Sequence, residues 1–97
     1  MSSRRVVWKY PVGMDRFSLS LPMGAQVLCA QKQYGTIEMW VLVDPDPDVE
    51  IERRHFLLVG TGHEHDVAGL TYEGYVGTFQ VRQGTLVFHL FELKEAT

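Results

Sequence analysis

Gly60-Thr61-Gly62-His63-Glu64-His65-Asp66 packs two glycines, two imidazoles and two carboxylates into seven residues, directly after an apolar run ending at Val59. Glycine reaches backbone conformations that turn successive N–H groups inward, so Gly60-Thr61-Gly62 reads as an anion cradle. Thr61 adds a hydroxyl to it and His63 an imidazole donor. Arg53 or Arg54, just upstream, would neutralise a phosphate, and Trp40 and Tyr75 would offer aromatic faces to a nucleotide-like ligand. The candidate ligand-binding set is therefore Trp40, Arg54, Gly60, Thr61, Gly62, His63 and Tyr75. The plainer reading of the same Gly-x-Gly is a bulge or a sharp bend at a strand end. No helical pattern follows it, so the P-loop and dinucleotide-binding motifs do not apply.

His63 and His65 share a face of any extended segment, the spacing by which small cupin-type barrels present metal ligands. Asp66, Glu73 or His89 would complete a zinc, iron or manganese set. A cupin would also carry a further downstream histidine, more chain, and its Pro-x-Gly after the histidines, whereas Pro22-Met23-Gly24 precedes them here. We therefore assign no metal ligands and no cofactor from the sequence. Nucleophilic catalysis finds no signature either. The serines are Ser2, Ser3, Ser18 and Ser20, none beside a base along the chain or in a nucleophile elbow. Cys29, the only cysteine, lies between Leu28 and Ala30 and reads as an inert core thiol; His89, between Phe88 and Leu90, reads as a hydrogen-bonded core or interface histidine. Asp46 and Asp48 sit in a proline-rich loop, a poor place to hold acid–base geometry. No catalytic residue is assigned, and the chain is not expected to be an enzyme.

The elements that must position these residues are strands. Period-two alternation dominates and helical stripes are missing. The pattern predicts strands over 6–10, 17–21, 26–31, 36–43, 50–60, 72–82 and 86–91, with turns at Pro11–Gly13, Pro22–Gly24, Gly35 and Gln83-Gly84. Asp44-Pro45-Asp46-Pro47-Asp48 can only be a loop, because proline fixes φ and removes donors. Any helix would be a short turn near Asp66–Leu70. About seven strands with regular turn signals predict an all-β fold, a small antiparallel sandwich or barrel, with residues 1–97 as one domain. Met39-Trp40-Val41-Leu42 and Val87 to Phe91 are apolar on both faces, which predicts a homo-oligomer.

Nine basic against twelve acidic side chains give a net charge of −3, which argues against a general nucleic-acid binder. A hydrophobic share of 45% is that of a globular chain. No apolar stretch is long enough to span a bilayer and no signal-peptide core is evident, so a cytoplasmic protein with no membrane partner is expected.

Several segments together resemble a family of small uncharacterised proteins encoded by bacteriophages and prophages: Trp8-Lys9-Tyr10-Pro11, Pro22 with Gly24-Ala25, Trp40 to Pro45, Val59 to His63, Gly77-Thr78-Phe79 and Leu86 to Glu92. Where that pattern has Met-Pro-x-Gly-Ala, this chain has Leu21-Pro22-Met23-Gly24-Ala25. The resemblance implies a mobile-element protein acting in a host-cell cytoplasm. Small proteins of that setting without catalytic motifs act stoichiometrically, which implies an accessory binding protein that blocks a host protein such as a defence factor. The alternatives are a sponge for a small anionic or nucleotide ligand and a metal-dependent cupin-like enzyme.

Overall fold

The computed structural model describes residues 3–96 and is all β, with seven strands in two antiparallel sheets. The strands are β1 (Val6–Pro11), β2 (Asp15–Pro22), β3 (Gln26–Gln33), β4 (Thr36–Val43), β5 (Ile51–Gly60), β6 (Leu70–Val81) and β7 (Leu86–Glu95). A three-stranded sheet runs β1-β4-β3 and a four-stranded sheet runs β2-β5-β7-β6. This is the small sandwich that the alternation predicts. Ser2 lies outside the described residues.

Alternation decides what the two sheets bury. Met39, Val41 and Val43 from β4 meet Leu21, Phe56, Leu58, Phe79 and Leu90 from the four-stranded sheet, with Ala25 and Ala30 filling the edge. Phe56 is fully buried, and truncating such a ring to alanine costs about 3–5 kcal/mol. Tyr10 packs on the edge of this core, where burial raises its phenol above the ordinary value.

The link into β6 stays within what the sequence allows, while one position of β3 departs from it. Residues 66–70 form a turn and no helix: Ala68 N–H donates to the Asp66 carboxylate at 2.8 Å, and Ala68 and Gly69 both take positive φ. Cys29 is only half-buried and stands outside the core cluster. A register shift between Val27 and Cys29 breaks the alternation of β3 and sets Cys29 beside Trp40, on the face turned away from the core. The Asp-Pro loop is a turn between the sheets, closed by Asx bonds from Asp46 N–H to Asp44 and from Asp48 N–H to Asp46.

The connection from β5 to β6 matters most. Both strands pair with β7, one on each side, so they run parallel and their link has to cross β7 over one face of the sheet. The Gly60-to-Asp66 motif lies on that crossing segment.

Candidate functional site

The outer face of the four-stranded sheet collects the side chains that the core excludes. Reading across the register, Ser18, His55, Leu93 and Tyr72 form one row. Arg16, Leu57, Phe91 and Tyr75 form the next, followed by Val59, His89 and Thr78. Tyr72 and Tyr75 are three apart and would face opposite ways on a regular strand. The register shift between Tyr72 and Gly74 brings them to the same face. Phe91 lies between them, with ring centroids at 5.1 Å from Tyr72 and 5.0 Å from Tyr75, both edge-on. Both tyrosines remain about half exposed, at 51% and 53%, while Leu57 and Leu93 beside them are closed to solvent.

A hydrogen-bond chain fixes this platform. His89 Nδ1 stands 2.7 Å from the Tyr75 hydroxyl, and its Nε2 stands 2.5 Å from Thr61 Oγ1. The Tyr75 hydroxyl also meets the Thr78 hydroxyl, and Thr61 Oγ1 donates to the Val87 carbonyl at 3.3 Å. One proton arrangement satisfies every link: Thr78 donates to Tyr75, Tyr75 to Nδ1, and Nε2–H to Thr61. At the other end His65 Nε2 meets the Tyr72 hydroxyl at 2.5 Å. His65 and His89 therefore pin the crossing segment to the two tyrosines from opposite ends. All four histidines of the chain, His55, His63, His65 and His89, belong to this face or to the segment crossing it.

Gly60 to His63 is a tight turn. His63 N–H donates to the Gly60 carbonyl at 3.1 Å, and Gly62 takes φ +82°, the left-handed region that favours glycine. A Cβ on Gly60 would stand 2.8 Å from His63 Nδ1, so the imidazole rests against bare backbone. Thr61 N–H is spent on the Val87 carbonyl at 3.0 Å. Two of the N–H groups that an anion cradle would aim inward are thus already used, and so is the Thr61 hydroxyl. Beside the turn opens a cleft of about 530 Å³ lined by Arg16, Leu57, Val59, His63, Glu64 and His65, among others.

The expected ligand set is brought together only in part. Thr61 and Tyr75 meet through His89. Arg54 points into the sandwich, as its shared parity with Phe56 and Leu58 requires. It grips Glu92 through Nε at 2.5 Å and Nη2 at 3.1 Å, reaches the Ala25 carbonyl at 2.8 Å and Glu52 at 3.1 Å, and is held above its ordinary pKa chiefly by the Glu92 bond. Trp40 alternates against buried Met39 and Val41, so it lies on the outer face of the other sheet, paired with Lys9 and Cys29.

Along the chain no base stands near a serine, yet β2–β5 pairing sets Ser18 Oγ 3.0 Å from His55 Nδ1. His55 Nε2 lies 3.9 Å from Glu95, whose carboxylate is 81% exposed, too long and too wet to orient the ring. His63 and His65 turn to separate partners, Gly60 and Tyr72. Among the described residues no group of three histidine, cysteine or acidic side chains is placed to hold a metal ion. Nor does any helix there have the length and hydropathy to cross a membrane.

No curated protein and no solved structure matches the chain. A family model described as "Domain of unknown function (DUF7352)" matches residues 3–97, and the chain belongs to that family.

Proposed function

We propose that this chain is a non-enzymatic accessory binding protein of the phage type, acting stoichiometrically on a host protein such as a defence factor through the outer face of its four-stranded sheet. One observation carries the reading: Tyr72 and Tyr75 stand half exposed on Phe91, each locked by a histidine from outside its own strand. Rigid tyrosines that bury large area at low entropic cost are the chemistry of protein-binding hot spots, and Arg16 beside Leu57 adds a guanidinium at the rim. A small-anion sponge draws less support. The cleft beside the turn carries Asp15, Glu64 and Asp66 against the single guanidinium of Arg16.

Affinity capture from bacterial lysate tests the reading. The natural chain and a Trp40→Ala control should retain one protein in fixed ratio, and Tyr72→Ala/Tyr75→Ala should lose it while keeping a cooperative melt. Equal retention by all three chains would remove the platform from the account.

A further inference from the structure

A sheet has to manage its edges, because an edge strand carries N–H and C=O groups without partners. Four strands are edges here: β1 and β3 in one sheet, β2 and β6 in the other. Three of them carry devices that oppose further pairing. β3 is bulged between Val27 and Cys29, and β6 twice, at Tyr72/Gly74 and Tyr75/Gly77. β1 has only six residues, presents Lys9 and ends in Pro11. β2 is different. Its match with β5 runs from Asp15 to Pro22 with no register shift, and Asp15 alone departs from extended backbone, at φ +53°. Charges are confined to Asp15 and Arg16, and proline enters only at the last position, so Arg16–Leu21 is a regular open edge. Among the described residues no backbone hydrogen bond from outside the sheet reaches Asp15–Leu21. Phe17 and Leu19 face the core yet stay half-buried, as apolar side chains on an uncovered edge would.

We infer that β2 is the surface through which two copies of this chain pair, antiparallel about a two-fold axis perpendicular to the sheet, so that two four-stranded sheets become one of eight. The occupant is a second copy because the strand complements itself. Facing residues of an antiparallel pair share a face, so the register shifts only in steps of two. Centred on Ser18, the extended residues Arg16 to Ser20 all find partners among themselves. Ser18 faces itself, Arg16 faces Ser20 and Phe17 faces Leu19. No like charges oppose, and the Phe17–Leu19 pairs continue the apolar inner layer across the joint. Centring on Phe17 would run Leu21 against Gly13, outside the strand, and centring on Leu19 would set Arg16 against Pro22. The axis keeps both outer faces on the same side, so the two tyrosine platforms share one surface. This pairing stands whatever the platform binds.

The test combines mass, cross-linking and exchange on the full chain. Sedimentation over a range of micromolar concentrations should approach twice the 11.1 kDa chain mass. Ser18→Cys in a Cys29→Ala background should give a disulfide-linked dimer on mild oxidation. In the natural chain, the outward amides of Asp15–Leu21 should exchange about tenfold or more slower at high than at low concentration, as opening of the paired state comes to limit them. A monomer at every concentration overturns the inference. So does a dimer in which Ser18→Cys does not cross-link and these amides exchange unchanged. A Ser18→Cys chain that fails to fold leaves the decision to exchange in the natural chain.

Discussion

The Tyr75 hydroxyl lies 2.7 Å from His89 Nδ1, although the register sets Phe91 opposite Tyr75 and Thr78 opposite His89. This diagonal contact joins β6 to β7, and through Thr61 it ties the crossing segment to the sheet. Tyr75→Phe keeps the ring on Phe91 and removes the link. The expected cost is about 1 kcal/mol, typical of one net hydrogen bond, read as a shift in the denaturation midpoint. Faster amide exchange should be confined to residues 61–66. Exchange rising uniformly over the chain would mean that the bond holds the fold and not the segment.

Gly60 and Gly62 should fail for different reasons. Gly62 has open space around it and φ +82°, so Gly62→Ala suffers backbone strain alone, about 1 kcal/mol or somewhat more. Gly60→Ala meets only the His63 ring, which is exposed and free to swing away, so its cost should be smaller. His63→Ala should abolish the cost of Gly60→Ala and leave that of Gly62→Ala untouched, as a double-mutant cycle on melting midpoints will read.

Arg54 and Glu92 act as a structural pair between β5 and β7. Removing one partner leaves a charge with little access to water, since Arg54 and Glu92 side chains are only 19% and 13% exposed. Arg54→Ala should cost about 2 kcal/mol, below the range for a fully buried pair because both side chains keep some contact with water. Arg54→Met/Glu92→Leu should recover most of it. If Arg54→Ala is as stable as the natural chain and only ligand binding falls, Arg54 belongs to a binding site after all.

Tyr10 supplies an alkaline limit to stability. Its folded pKa is raised by burial, so the unfolded chain loses the phenolic proton first. The stabilisation is present below the ordinary phenol pKa and is lost as pH rises through it toward the folded value. Tyr10→Phe should flatten the fall in stability above about pH 10 and change little at neutral pH. Urea titrations at neutral and alkaline pH check this, and an unchanged alkaline slope would place the effect elsewhere.

Strand positions were legible because alternation is a local signal. Thr36 to Val43 was bounded as observed, since Ile37, Met39, Val41 and Val43 alternate without interruption. The sequence pattern ends the last strand at Phe91, whereas it runs to Glu95. Glu92 looks like a strand end from sequence, but it faces inward to Arg54 and Leu93 is buried on the outer face. The platform was not legible. Tyr72 and Tyr75 share a face only through a bulge, and Ser18 meets His55 across 37 positions of chain. Arg54 faces inward, as its parity with Phe56 and Leu58 requires, and so stands apart from the ligand set that its place next to the Gly60 motif suggests.

Native mass spectrometry of the chain purified gently from bacterial cells tests the central claim most directly. The account predicts a complex with one macromolecular partner per chain, absent when Tyr72→Ala/Tyr75→Ala is purified the same way. The chain alone, as a monomer or a pair, or carrying only a small-molecule adduct that survives the tyrosine substitutions, would contradict it.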